Sequence, residues 1–131
     1  MFKINLKLFI IITLLSVSLV FGGIRQTDQT KRLKFAKGKS AVTVSDAVLR
    51  DEVHYYLVKA NQGQTMTVKI TSLEKNASFR IIKPSGGYVK GAGEMEEPTN
   101  WTGTLPESGD YKIEVGPDRG NATYRLTVKI K

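Results

Sequence analysis

From Leu33 to Ile130 the apolar residues recur at every second position, the period of a half-buried β-strand rather than a helix. Leu33 and Phe35 alternate with Arg32, Lys34 and Lys37 up to Gly38, and residues 41–44 make a short strand candidate. Within residues 52–60, Tyr56, Val58 and Ala60 share one face and Tyr55, Leu57 and Lys59 the other, before the Asn61-Gln62-Gly63 turn. Met66, Val68 and Ile70 then alternate with Thr65, Thr67, Lys69 and Thr71. Asn76 opens a strand with Phe79 and Ile81 on one face, which Lys83-Pro84-Ser85-Gly86-Gly87 must stop, because proline cannot continue a central ladder. Residues 88–98, rich in Gly and Glu, read as a long loop. Trp101, Gly103 and Leu105 alternate next; Tyr111, Ile113 and Val115 follow the Pro106-Glu107-Ser108-Gly109 turn. Tyr124, Leu126, Val128 and Ile130 follow the turn at residues 116–121.

This pattern predicts about eight short strands, turn signals between them and no helical stretch. The expected fold is all-β: a single antiparallel β-sandwich whose two sheets meet over the alternating apolar faces.

The first residues differ in kind. Lys3 and Lys7 precede an apolar run, Leu8 to Phe21, that is short for a ~30 Å hydrocarbon core and is closed by the small residues Gly22 and Gly23. Residues 1–22 are therefore expected to be a cleaved signal peptide, residues 23–31 a flexible leader and residues 32–131 the sandwich domain. Localisation would be periplasmic or secreted, with no membrane insertion after cleavage. The 109 residues that remain suffice for one core. The formal net charge of +8 falls to +6 with Lys3 and Lys7 removed. No cysteine is present, which excludes a disulfide scaffold, thiol chemistry and lipid attachment at a cysteine. A single His excludes any two-His metal site, and no cofactor is implied. Three Asn-x-Ser/Thr sequons, at Asn76, Asn100 and Asn121, would matter only in a eukaryotic secretory pathway.

Three stretches carry a family likeness. Tyr56-Leu57-Val58-Lys59-Ala60-Asn61-Gln62-Gly63-Gln64, Phe79-Arg80-Ile81-Ile82-Lys83-Pro84-Ser85-Gly86 and Leu105-Pro106-Glu107-Ser108-Gly109-Asp110-Tyr111-Lys112-Ile113-Glu114-Val115 resemble the strand-turn signatures of bacterial pre-peptidase C-terminal (PPC) domains. Phe35-Ala36-Lys37-Gly38-Lys39-Ser40, Ser108-Gly109-Asp110-Tyr111 and the closing Tyr124–Lys131 segment resemble a narrower group with this sandwich, the periplasmic inhibitors of g-type lysozyme. Related lysozyme inhibitors place a Ser-Gly-x-x-Tyr loop in the enzyme's cleft, and the resemblance implies that role for Ser108, Gly109, Asp110 and Tyr111. The spacing here is one residue shorter, which in period-two structure sends Tyr111 to the opposite face, open to the core. Ser108 and Gly109 then carry over.

Other chemistry is sparse. His54 lies inside a strand rather than at a strand end beside an exposed serine, so a packed or surface histidine is the ordinary reading. Asp51-Glu52 and Glu94-Met95-Glu96-Glu97 offer carboxylates, but adjacent acids on a strand point to opposite faces and loop acids are usually solvated. Calcium at Glu94, Glu96 and Glu97 lacks any Asp-x-Asp-x-Asp-Gly loop. Trp101, the only Trp, would stack on a sugar ring if exposed; its alternation with Leu105 favours the core. Arg119 is placed to project from a turn.

The basic charge would suit an anionic envelope polymer, whereas nucleic acid is not expected without a basic–aromatic stripe. It would not suit a cationic lysozyme, against which an acidic inhibitor gains more. The expected function is a secreted, non-enzymatic binding protein that inhibits a lysozyme by filling its glycan cleft, with Ser108–Tyr111 or the turn at residues 118–121. The alternative is a carbohydrate- or envelope-binding module of the PPC type, with an envelope polysaccharide as partner.

Overall fold

Eight strands and no helix make up the regular structure of residues 28–131, the part of the chain that the computed structural model describes. They are β1 (Gln29–Arg32), β2 (Ala41–Val48), β3 (His54–Ala60), β4 (Thr65–Thr71), β5 (Ala77–Ile82), β6 (Asn100–Thr104), β7 (Gly109–Pro117) and β8 (Ala122–Ile130). One sheet has the order β1-β3-β7-β5 and the other β2-β8-β4-β6. Every pairing is antiparallel except β1 on β3, which is parallel. The expected signal peptide and the first residues of the leader lie outside the described residues.

The core follows the period of two. Tyr56, Val58 and Ala60 of β3, Phe79 and Ile81 of β5, and Tyr111, Ile113 and Val115 of β7 are buried beneath Met66, Val68 and Ile70 of β4 and Leu126 and Val128 of β8. Burying each such side chain contributes about 1.5–3 kcal/mol, and alternation places them all on the inner faces.

The structure departs from the pattern in three places. The first strand is Gln29–Arg32, not the Arg32–Gly38 stretch, and it falls partly in what reads as a leader. All four of its residues are exposed, so it carries no apolar alternation to read; Leu33 is buried beyond its end and Phe35 sits half-buried in the connection. The second strand runs to Val48 rather than stopping at residue 44, since its pairing with β8 continues to Val48 opposite Ala122; the alternation hides this because Asp46 occupies an inward-facing position where an apolar residue would be expected. The 88–98 loop is a loop, but Val89 and Ala92 are buried, and it covers the outer edge of β5 through Phe79 N–H to Pro98 O (3.2 Å), Ile81 N–H to Ala92 O (3.0 Å) and Val89 N–H to Ile81 O (2.9 Å).

No helix among the described residues is long and apolar enough to cross a membrane. Nor does any group of three His, Cys, Asp or Glu side chains among them gather to hold a metal ion. Glu96 is folded back onto the Gly93 N–H (2.5 Å).

Candidate functional site

The turns that carry the family likeness converge at one end of the sandwich. The Asn61–Gln64 turn joins β3 to β4, Lys83–Gly87 follows β5, and Leu105–Ser108 crosses from β6 in one sheet to β7 in the other. Short hydrogen bonds sew them together. Gln62 N–H donates to Ser108 Oγ (2.8 Å), and Ser85 donates to Glu107 Oε1 from both its N–H (2.8 Å) and its hydroxyl (2.6 Å). Leu105 is bonded in both directions, its N–H to Gln64 O (2.8 Å) and its carbonyl from Gly63 N–H (2.9 Å). Such turns have no ladder of their own, so side-chain acceptors satisfy their backbone donors.

Gly109 is held where no other residue fits easily. Its φ is +139°, and a Cβ there would lie 2.8 Å from Pro84 Cβ. Asp110, next in the chain, makes a bidentate pair with Arg32 of β1, at 2.9 Å and 2.7 Å. The Arg32 hydrogen bonds hold the Asp110 carboxyl below its usual range, and the Ser85 bonds do the same for Glu107. A depressed carboxyl stabilises the fold above the unfolded-state pKa of about 3.9, and that contribution is lost as pH falls through the lower folded value. Both groups of the Arg32–Asp110 pair are exposed, so the effect is expected to be small. Thermal unfolding of Asp110→Asn should match wild type in acid and fall slightly below it at neutral pH.

Tyr111 is fully buried, with its hydroxyl donating to Glu107 O (2.6 Å) and accepting from Glu107 N–H (3.2 Å). As a binding residue it is therefore corrected: it props the Ser108 turn from inside the core. This is the face inversion that the one-residue shortening implies.

What remains exposed at this end is largely cationic. Lys59 lies between two depressions, one of about 400 Å³ lined by Phe35, Lys39, Asn61 and Gln64, the other of about 490 Å³ lined by Arg32, Gly109 and Asp110. Arg32 and Asp110 neutralise each other, and Glu107 is hydrogen-bonded to Ser85, so Lys39 and Lys59 are the unpaired cations here among the described residues. Sequence reasoning singled out neither Lys59 nor Arg32, because only the topology brings β1 and the end of β3 to the Ser108 turn.

Arg119 is not part of this cluster. β7 separates it from Ser108, and its nine residues span roughly 26 Å at about 3.3 Å per step. Its backbone is pinned by Asn76, whose Oδ1 accepts the Arg119 N–H (2.9 Å) and whose amide donates to the Arg119 carbonyl. Its exposed side chain forms no ion pair among the described residues.

Trp101 belongs to neither end. It is half-buried on the inward side of edge strand β6, packed on the core rather than inside it. Its Nε1 donates to Lys90 O (2.9 Å), and its ring lies over Gly103, where a Cβ would come within 2.5 Å of the ring carbon Cζ2.

His54 is the centre of a buried polar cluster near the Arg119 end. Its Nδ1 bonds Tyr124 Oη (2.7 Å), and Tyr124 Oη also bonds Tyr56 Oη. Glu52 Oε1 stands 3.3 Å from Nε2, outside hydrogen-bond geometry, and Asp46 Oδ2 stands 3.8 Å from Nδ1. Burial, followed by the Tyr56 bond, pushes the Tyr124 phenol far above its usual range. His54 is 2% exposed, Tyr56 2% and Tyr124 4%, so no substrate atom can reach this relay. Its hydrogen bonds tie β3 of one sheet to β8 of the other across the sandwich.

A scan of family models finds no match to the chain, and a search of curated proteins finds none either. Solved structures do match. The periplasmic inhibitor of g-type lysozyme from Aeromonas hydrophila superposes with a TM-score of 0.66 at 28% identity, over 79% of this chain and 96% of that one. Its counterpart from Salmonella Typhimurium gives 0.64 at 20% identity, over 80% of this chain and 100% of that one. The PPC domain of a collagenase from Bacillus anthracis gives 0.59 at 14% identity, over 80% and 99%, a likeness of fold alone. The chain thus carries the PPC-like β-sandwich, and among solved structures it resembles the periplasmic inhibitors of g-type lysozyme.

Proposed function

We propose that the protein is a periplasmic or secreted inhibitor of a g-type lysozyme, a binding protein rather than an enzyme. On this reading it presents the Ser108 end of the sandwich to the enzyme's glycan cleft. The observation that carries the reading is the 28% identical Aeromonas inhibitor, which this chain matches over nearly that protein's whole length. The likeness in Ser108-Gly109-Asp110-Tyr111 points to the same end. Glycosidase clefts work with carboxylates, and the cations Lys39 and Lys59, which form no ion pair among the described residues, are complementary to them. The overall positive charge is then less of an obstacle, because the local field at the docking end decides the encounter. Because Arg119 sits at the opposite end, one cleft cannot take both turns.

The test is turnover of g-, c- and i-type lysozymes with the purified chain lacking residues 1–22. Near-stoichiometric inhibition of the g-type enzyme is expected. Ser108→Ala should weaken it about ten-fold, equivalent to about 1.4 kcal/mol, while Arg119→Ala leaves it unchanged. Failure of the unmutated protein to inhibit any of the three overturns the proposal. Loss with Arg119→Ala alone overturns the assignment of the end.

A further inference from the structure

Beside β6 runs a groove of about 580 Å³, lined by four consecutive residues of that strand, Trp101–Thr104, and on its far wall by Lys83, Tyr88 and Lys90. The register of β4 and β6 decides which backbone groups face it. Ile70 N–H donates to Thr99 O (2.9 Å), Leu105 N–H donates to Gln64 O (2.8 Å), and each pair is directly opposite in the ladder. Hydrogen-bonded pairs alternate along an antiparallel ladder, so Trp101 and Gly103 bond β4 while the N–H and C=O groups of Asn100, Thr102 and Thr104 point away from it. β6 pairs with no other strand, and among the described residues none of those three amides has a hydrogen-bond partner.

Free edges are normally blunted. β5 is covered by the 88–98 loop, β1 carries Lys31 and Arg32, and β2 has the inward-facing Asp46, whose carboxylate also takes the Ala47 N–H (2.8 Å). β6, Asn100–Thr104, has no charged residue and no proline. Its inner side holds an indole ring fixed by Lys90 O and seated on Gly103.

We propose that the β6 edge and its groove are a docking slot for an extended acidic segment of another protein, which adds to the β2-β8-β4-β6 sheet as a fifth strand. Main-chain bonds to Thr102 and Thr104 supply the affinity, and every second side chain enters the groove over Trp101. The choice of an acidic segment rests on Lys83 and Lys90, which form no ion pair among the described residues. Of the nearby acids, Glu107 is hydrogen-bonded to Ser85 and feels the charge of Lys83 without pairing with it, and Glu94 lies 3.4 Å from the Tyr88 hydroxyl and 3.7 Å from Arg80, which leaves Lys90 as the less compensated of the two cations. A second copy of the chain is disfavoured, since pairing β6 with β6 would bring like-charged groove walls together.

The experiment titrates the protein with two blocked eight-residue peptides, one alternating valine with glutamate and one alternating valine with lysine, read by amide NMR and hydrogen exchange. The glutamate peptide is expected to slow exchange at Thr102 and Thr104 at least ten-fold and to bind at least ten-fold tighter than the lysine peptide. Thr102→Pro removes a backbone N–H that points away from β4 and one exposed side-chain bond to Thr67 Oγ1 (3.2 Å), so the β4–β6 ladder is retained and binding should fall ten-fold or more. Should that variant not fold, the double charge reversal Lys83→Glu with Lys90→Glu must invert the preference between the peptides. Unprotected Thr102 and Thr104 amides, equal binding of both peptides, or full binding by folded Thr102→Pro overturns the proposal. So does protection of the same amides by an acidic oligosaccharide in place of the peptide, or by self-association of the protein alone.

Discussion

Gly109→Val is expected to lower the thermal unfolding midpoint by about 12 °C or more. The native φ of +139° lies in a region that a β-branched residue avoids, at a cost of about 1–3 kcal/mol. The new Cβ would also meet Pro84 Cβ at 2.8 Å and Cγ at 3.0 Å, and a proline ring anchored in its own turn gives way poorly. Relief requires parting the Lys83–Gly87 turn from the start of β7, which strains the Ser85–Glu107 bonds as well. A total of about 3 kcal/mol in a domain of this size corresponds to the stated shift. Gly38→Ala is the control. Its φ is +74° with nothing within 4 Å of the added Cβ, so it should cost only about 1 kcal/mol. Differential scanning calorimetry of the two variants separates backbone strain alone from strain plus collision. Because Gly109 adjoins the proposed docking turn, inhibition must be measured well below the variant's midpoint.

Tyr124→Phe is expected to cost about 2 kcal/mol, roughly twice Tyr56→Phe. Tyr124 Oη is the hub of the buried cluster, bonded to His54 Nδ1 and to Tyr56 Oη, whereas Tyr56 Oη bonds Tyr124 alone. Removing the hub breaks both bonds and strands two buried polar atoms, whereas removing Tyr56 Oη breaks one bond and leaves Tyr124 Oη paired with His54 Nδ1. Urea unfolding with an unchanged m-value would express the difference as midpoint shifts. Equal losses in the two variants would mean that His54 Nδ1 finds another partner, with Asp46 Oδ2 at 3.8 Å the nearest available.

The sheet interiors were legible from period-two alternation alone. Val58, Met66, Ile81, Ile113 and Val128 all lie where alternation places them, because a strand buried on one face must repeat with that period. The turns were legible for a related reason: Gly63, Gly86 and Gly109 all have positive φ, a conformation that glycine adopts readily. Tyr111 shows how far such reasoning reaches, since one residue of spacing determines which side of a sheet a side chain meets.

Tertiary structure alone decided the rest. β1 has no alternation to betray it, because its residues are exposed and its place depends on a parallel partner 25 residues further along. Asp46 breaks the apolar pattern of β2, and only the fold brings Lys31 to 3.6 Å from the carboxylate of this inward acid. Ser108 and Arg119 look equivalent as turn residues, yet they stand at opposite ends of β7. Lys59 and Arg32, far apart in the chain, share one surface with the Ser108 turn. Local pattern depends on which face of a strand is buried, and the sequence by itself determined that. Which strand ends meet depends on how two sheets are wound, a property of long-range contacts that no window of sequence contains.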